Sequence, residues 1–598
     1  MERQNSSILL QAGMKLKQLP HFLFVALLAA ILFIPFLGRA HLFDWDEINF
    51  AESAREMVVT GNYSRVMIDY QPFFQKPPLF FWLQAGSMQI FGINEFAARF
   101  PNAVCGIITL CLIFFLGRKY FDETFGWLWV MAYAGSFLPH LYFKSGIIDP
   151  WFNLFIFSSL VFLIKAFESK FSFQSPVVLS GIFIGLGFLT KGPVAILILG
   201  LTVVFYLVYK GWKWFSANGS LAKFIYYFFS PPASEDVDVG AIYKKAIKAI
   251  ILFLFASFFV MMVWLGVEVS ENGFLFLKEF YLYQLRLFRT EDAGHGGPFY
   301  YHIAVLLIGC FPASIIAITG FFRKHDANEK QLNFRKWMVI LFTVVLVIFS
   351  IVKTKIIHYS SLCYLPLAFL AAWEMYYVIK SKAQFSWIQR ASLLLLGAAV
   401  GIAATVAPYL GSRPEILIPY IKDPFAIANL GAEVDWPPSL MLFGFAYLIL
   451  VIISVLWMGG QHKKGFILLF AGSCILLQIL MFAFVPRIER YTQGAAIDFY
   501  KSLQGKDVYV EVLGFKSYAH LFYTQKMPSP NHERMDKYRL LSGDTDKPVY
   551  FVCKITKAGE YKALPQLEEI AGKNGFVFLK VKMPPPEDTI PRIPAPEP

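Results

Sequence analysis

The sequence predicts an all-α polytopic membrane bundle of about 13 transmembrane helices carrying a C-terminal soluble α/β domain. Three observations carry that expectation. Of the 598 residues, 57% are hydrophobic and only 16% charged, against roughly a quarter charged in a soluble domain. The apolar excess falls in blocks of about 16–22 residues, each long enough to cross a hydrocarbon core roughly 30 Å thick at about 1.5 Å per residue. The 54 Lys and Arg that set the net charge of +13 are scattered in short clusters between those blocks. That is the positive-inside pattern, not the concentrated charge of a nucleic-acid-binding surface.

The first apolar block, 21–37, follows Lys15 and Lys17. Phe36-Leu37-Gly38-Arg39 is no small-residue cleavage site, so the block reads as an uncleaved span. Further spans are expected near 101–117, 125–141, 150–166, 177–190, 193–209, 249–268, 300–321, 337–352, 360–379, 391–409, 439–458 and 465–485. Cys111, Cys310, Cys363 and Cys474 fall inside spans and Cys105 near the start of one. Only Cys553 is left in the tail, so no disulfide framework is implied. The clusters Arg118-Lys119, Lys244-Lys245-Lys248, Arg323-Lys324, Arg335-Lys336, Lys380-Lys382 and Lys463-Lys464 fall on one side, which is therefore cytoplasmic. An odd number of crossings then puts the N-terminus inside and the tail after Arg487 outside. No convincing internal repeat is visible, unlike many secondary transporters.

The chain divides in this reading into a membrane domain, 1–486, and a periplasmic domain, 487–598. The first outer loop, 40–100, is itself structured. Asp46 to Thr60 is helical, with Phe50, Ala51, Ala54, Met57 and Val58 on one side and Glu52, Arg55 and Glu56 on the other. Gly61-Asn62 stops that helix, and Pro77-Pro78 opens a second, Leu79 to Phe91, too short to span. In the tail, 507–513, 549–552 and 576–579 alternate or cluster as strands, and 493–503 and 563–573 are helix-like. From Met583 the chain is Pro-rich and expected to be disordered.

The candidate chemistry gathers at the outer ends of the spans. Asp44, Asp46 and Glu47 follow the first span, and Asp149 heads another in Ser145-Gly146-Ile147-Ile148-Asp149-Pro150. Such carboxylates either cap helix N-termini or have a task, because an ionisable group at a span is costly. Lys76 stands in the apolar run Phe73-Phe74-Gln75-Lys76-Pro77-Pro78, where it either snorkels or meets an anion. Lys353 and Lys355, in Lys353-Thr354-Lys355-Ile356-Ile357-His358-Tyr359, oppose the positive-inside bias on the outer side and so call for an anion, as does Lys191 in Thr190-Lys191-Gly192-Pro193. Arg286 and Arg289 precede Gly294-His295-Gly296-Gly297-Pro298. Together these cations describe a basic pocket suited to a lipid-anchored phosphate.

The run Trp45-Asp46-Glu47-Ile48-Asn49-Phe50-Ala51-Glu52-Ser53-Ala54-Arg55-Glu56-Met57 resembles the first-loop signature of the bacterial lipid A aminoarabinose transferases and, more distantly, of protein O-mannosyltransferases, both of the GT-C group. Lys76-Pro77, Ile148-Asp149-Pro150, Thr190-Lys191-Gly192, His295 with Pro298-Phe299-Tyr300-Tyr301, and Lys353 to Tyr359 recur there in the same order, over roughly residues 40–370. The resemblance implies a glycosyltransferase taking a sugar from a polyprenyl phosphate to an acceptor at the outer face of the bacterial inner membrane, lipid A or a related glycolipid, with inversion. It implies that Asp46 and Asp149 are catalytic, that Lys76, Lys353, Lys355 and Tyr359 hold the donor phosphate, and that Glu47, Lys191, Arg286 and His295 are further site residues. Gln75 stands where the lipid A enzymes carry a metal-site Glu, and Gly296 where they carry a basic residue. Both departures count against a zinc site; no cofactor follows, and a divalent metal is left open. The rival readings are a protein O-mannosyltransferase and, without bond-making chemistry, a lipid-linked-sugar flippase. A flippase is expected to carry charge along the bilayer midplane, and here it gathers at span ends.

Overall fold

The computed structural model describes residues 20–169, 171, 174–218, 239–290, 296–323, 325–528 and 537–582. Lys15, Lys17, Lys324, His295 and the Pro-rich end from Met583 lie outside the described residues. Helices run in the order α1 (Pro20–Phe33), α2 (Asp46–Thr60), α3 (Leu79–Phe91), α4 (Glu95–Tyr120), α5 (Glu123–Ala134), α6 (Phe137–Tyr142), α7 (Asp149–Glu168), α8 (Ser175–Lys191) and α9 (Val194–Asn218). The later ones include Val239–Asn272, Leu275–Arg289, Glu329–Ile351, Tyr364–Ser381, Trp387–Ser412 and Met441–Trp457.

Every block expected to cross the membrane is helical, but not every one is a single straight span. Among the described residues nine helices are long and apolar enough to cross, or ten if Tyr301–Gly309 and Ala313–Phe322, bent by 115°, form one span. α1 and α8 are apolar but shorter. The block at 125–141 is broken at Gly135-Ser136 into α5 and α6.

Local chemistry sets the helix starts. The Asn94 side chain accepts from the Ala97 N–H at the head of α4, Asp122 does the same for Phe125 in α5, and Asn328 with Gln331 forms a reciprocal cap on Glu329–Ile351. α4 and α5 touch backbone to backbone: a Cβ on Gly117 would meet the Gly126 Cα at 2.7 Å, so only glycine permits that approach.

α2 and α3 lie where the sequence places them, joined by a small hairpin of β1 (Met67–Ile68) and β2 (Gln71–Pro72). The charged side of α2 is a surprise: Glu52, Arg55 and Glu56 are fully buried. Arg55 grips Glu52 through two bonds of 2.6 and 2.7 Å, the Tyr70 N–H donates to Glu56, and the Tyr70 hydroxyl donates to the Lys526 carbonyl. The C-terminal region also packs on this loop, its Ala519 and Phe522 joining Phe50, Ala54, Phe80 and Phe81 in one buried apolar cluster. Burial, and Glu52 beside it, push the Glu56 carboxyl up to about 9. The folded chain thus holds a proton that the unfolded chain releases above the ordinary carboxylate value. Stability from this group is complete below about 4.5 and is lost as pH rises through about 9. Glu56→Gln should therefore gain on the native chain as pH increases. Thermal unfolding in detergent at stepped pH checks this, and parallel curves would refute it.

The C-terminal sheet has the order β3-β4-β6-β5, built from β3 (Tyr509–Leu513), β4 (Val549–Lys554), β5 (Leu567–Lys573) and β6 (Phe576–Val581), with β3 and β4 parallel and the other pairs antiparallel. The strands expected at 507–513, 549–552 and 576–579 are present, as is a helix at Ala495–Ser502. The stretch 563–573 is corrected: it holds β5, and the helix is Ile555–Lys562. Asn574 and Gly575, both at positive φ, turn β5 back onto β6, and Asn-Gly is the dipeptide such hairpins favour.

Candidate active site

Five separate elements deliver side chains to one cavity of about 350 Å³. Asp46 is the first residue of α2, and Lys76 stands just before the Pro77-Pro78 entry to α3. Lys191 ends α8, Tyr283 comes from Leu275–Arg289, and His358 and Tyr359 sit on the short turn Ile357–Cys363. All six line the cavity, as do Asp44, Trp45 and Glu47.

Its electrostatics are organised around an imidazole. His358 Nε2 lies 3.3 Å from an Asp46 carboxylate oxygen and 3.8 Å from Asp149. The other Asp149 oxygen pairs with the Lys191 ammonium at 2.6 Å. Asp149 is nearly enclosed, at 3% exposure, whereas Asp46 is 32% exposed and open to the cavity. The Lys191 ammonium also faces the Tyr359 ring at 5.0 Å, and the Lys76 ammonium faces the Tyr283 ring at 5.1 Å. Such contacts favour a cation at these positions. Arg286 packs on Tyr283 as well, at 5.2 Å.

Glu47 has a different task. Arg99 clamps it through bonds of 3.0 and 2.7 Å, and Glu47 also accepts the N–H groups of Phe43 and Gly146. The same Arg99 donates to the carbonyls of Leu37, Ala40 and His41. One buried ion pair therefore ties together the exit of the first apolar segment, the start of α2 and the loop leading to Asp149. Burial opposes ionisation of Glu47, yet the Arg99 charge and these hydrogen bonds hold its carboxyl below the ordinary value. Glu47→Gln strands the Arg99 charge and should cost about 3–5 kcal/mol. Thermal unfolding measures it, and a native melting curve would show that the pair carries no such weight.

The structure does not bring every expected residue to the cavity. Lys355 is corrected: its ammonium donates to the carbonyls of Phe349, Ser350 and Val352 at 3.0, 2.6 and 2.5 Å, capping the end of Glu329–Ile351, because cations and a helix C-terminus attract. Lys353 is exposed and does not line the cavity. Arg286 borders a neighbouring hollow on the far side of Tyr283. His295 lies outside the described residues. Sequence reasoning missed His358, although it stands in the motif that carries Tyr359. Among the described residues no three His, Cys, Asp or Glu side chains converge as a metal-binding group.

The dolichyl-phosphate-mannose-protein mannosyltransferase family model matches residues 75–232. Undecaprenyl phosphate-alpha-4-amino-4-deoxy-L-arabinose arabinosyl transferase of Shewanella sediminis is 22% identical over 476 residues, covering 78% of this chain and 77% of that one. A second such transferase, from Proteus mirabilis, is 25% identical over 75% of this chain and 74% of its own. The crystal structure of ArnT from Cupriavidus metallidurans bound to undecaprenyl phosphate superposes with a TM-score of 0.69 at 15% identity, covering 94% of this chain and 98% of that one. The chain is accordingly a multi-pass membrane protein of the GT-C fold that resembles the bacterial aminoarabinose transferases and, over residues 75–232, the protein mannosyltransferases.

Proposed function

We propose that the chain transfers a sugar from an undecaprenyl- or similar polyprenyl-phosphate donor to a glycolipid acceptor, lipid A or a relative of it, at the outer face of the inner membrane. The observation that carries this reading is the meeting of an open carboxylate, Asp46, with the cations Lys76 and Lys191 in one cavity. The bond between the anomeric carbon and the phosphate oxygen breaks as an acceptor oxygen bonds to the opposite face of that carbon, which inverts it. Negative charge grows on the departing phosphate, where Lys76, Lys191 and the Tyr359 hydroxyl stabilise it. Asp46 takes the proton of an acceptor hydroxyl; for a phosphate acceptor, which brings no such proton, it orients the donor sugar. Asp149 is a positioning residue that holds Lys191 and faces His358. The resemblance to named transferases supports this reading, and the relatives' donor is the source of the polyprenyl class.

Mass spectrometry of lipid A and of envelope proteins, from cells with and without the chain, tests it. The expected result is one sugar mass missing from the glycolipid. A loss confined to proteins would transfer the case to the mannosyltransferase reading, and no loss in either would overturn both.

The proposed orientation has the N-terminus in the cytoplasm and the residues after Arg487 in the periplasm. Its support is the grouping of basic residues at the end of the bundle opposite Asp149. The Tyr120 hydroxyl, next to Lys119, bonds Glu168 at the far end of α7, and Asp122 meets Lys380 there. A periplasm-dependent reporter fused after Arg487 should be active, and activity of a cytoplasmic reporter there would reverse the topology.

A further inference from the structure

Asp46 and His358 meet from different parts of the chain, and only one of the two is firmly held. The Asp46 carboxylate stands open to the cavity on the first turn of α2. Among the described residues its one ion-pair partner is His358, whose Nε2 lies 3.3 Å away. The turn Ile357–Cys363 that carries His358 is pinned from two sides. Asn153, one helical turn along α7 from Asp149, donates to the Ser361 hydroxyl at 2.8 Å, and His302 Nδ1 meets the Ser360 hydroxyl at 3.2 Å. Just before the turn, Lys355 is locked onto the end of Glu329–Ile351, and Thr354 donates to the Thr290 carbonyl at 2.8 Å. Behind the imidazole stands a second carboxylate. One Asp149 oxygen takes the Lys191 ammonium at 2.6 Å; the other is buried, has no hydrogen-bond partner among the described residues and faces the same Nε2 at 3.8 Å. A ring nitrogen between two carboxylates carries its hydrogen, because a lone pair there would point at two negative charges. The acceptor within hydrogen-bond reach of that Nε2–H is the Asp46 oxygen.

We infer that His358 is a positioning residue for the transfer: its Nε2–H holds the Asp46 carboxylate in the rotamer that meets the reacting groups, and the pinned turn lends Asp46 the rigidity that an open carboxylate lacks. The inference rests on the proposed glycosyl transfer and adds to it the group that aims its carboxylate. A carboxylate free to turn about χ1 and χ2 spends part of its time pointing away from the reacting groups. A misplacement of about 1 Å can cost about 10²-fold in rate. With Nε2 turned to two carboxylates, His358 already has its negative partners and is not a ligand of the donor phosphate. That work stays with Lys76, Lys191 and Tyr359.

The test uses the full chain in detergent with a defined polyprenyl-phosphate sugar and lipid A. His358→Phe keeps a ring and removes the N–H; it should lower kcat about 10²-fold and leave KM for the donor unchanged. His358→Gln can set its amide N–H where Nε2 stands and should return turnover to within about fivefold of the native rate. Asp46→Asn combined with His358→Phe should be no slower than Asp46→Asn alone, since a residue that acts through a carboxylate has nothing to act on once the carboxylate is gone. Three results would each overturn the inference. A raised donor KM with native kcat would make His358 a phosphate ligand, losses that multiply in the double variant would make it act independently of Asp46, and His358→Gln as slow as His358→Phe would take the role from the N–H. If the native chain transfers from no polyprenyl-phosphate sugar, the glycosyl-transfer reading itself falls, and nitrogen NMR of the histidine-labelled chain decides the contact separately. The His358 signal is the one lost in His358→Phe. An Nε2 that carries hydrogen and shifts in Asp46→Asn supports the contact; a bare Nε2, or a signal indifferent to Asp46→Asn, refutes it.

Discussion

Replacing Asp46 with asparagine should lower turnover by about 10³-fold, roughly 4 kcal/mol of barrier, while leaving the chain folded and inserted. The amide keeps the shape of the carboxylate and removes only its charge. Asp46 is 32% exposed, and its ion-pair partner His358, at 3.3 Å, keeps Asp149 at 3.8 Å, so the change strands no charge without a partner. KM for the donor should move little, because a proton acceptor acts in the transition state and not in the resting complex. The competing account is that Asp46, in the first turn of α2, merely complements the helix dipole. That is worth about 1 kcal/mol or less in stability and nothing in turnover. Turnover within threefold of the native rate, with a slightly lowered melting temperature, would favour that account.

Lys76→Ala should reduce kcat/KM for the donor by about 10²–10³-fold through both constants, because a cation beside a phosphate helps the bound substrate and helps the departing group more. The Lys76 ammonium lines the cavity with Tyr283 beneath it. It is therefore not a side chain reaching along the apolar surface toward water. Lys76→Gln should be as poor as alanine. Lys76→Arg should recover part of the loss, since a planar fork does not reproduce a compact ammonium. Donor affinity and turnover for the three variants check this, and native values for Lys76→Gln would remove the phosphate role and leave Lys191 and Tyr359 to carry it.

Local punctuation made much of the architecture legible. Gly61 closes α2, Pro77-Pro78 opens α3, and both helices have the expected bounds. Asp46, Lys76, Lys191 and Tyr359 do share a cavity. What remained hidden depends on chain segments far apart in sequence. His358 stands beside apolar Ile357, and its partners Asp46 and Asp149 come from other helices. The position of Lys355 calls for an anion, and the carbonyls just before it receive its ammonium instead. The polar side of α2 follows helical periodicity faithfully; it is buried in the fold, where Tyr70 bonds both Glu56 and the distant Lys526 carbonyl. For β5 a signal was present in Asn574-Gly575 and was outweighed by the polar composition of Leu567–Lys573.

The last apolar helix does not stop at the membrane's edge: one helical path runs from His462 to Ser502, 41 residues, or roughly 60 Å at about 1.5 Å per residue. It passes through two wider turns, at Leu480–Phe484 and Arg490–Gly494, and is pinned sideways where Arg487 donates to the Asp435 carbonyl and Tyr491 to that of Gly411. A shaft of this kind transmits rotation as faithfully as it transmits height. Adding one residue between those pins and Ser502 would turn everything beyond it by about 100°, swinging Ala519 and Phe522 away from α2, whereas adding seven would nearly restore the angle but lift them by about 10 Å. The spacing of that stretch is therefore fixed twice over: along it the chain can drift in composition, but a change of length that restores the angle does not restore the height.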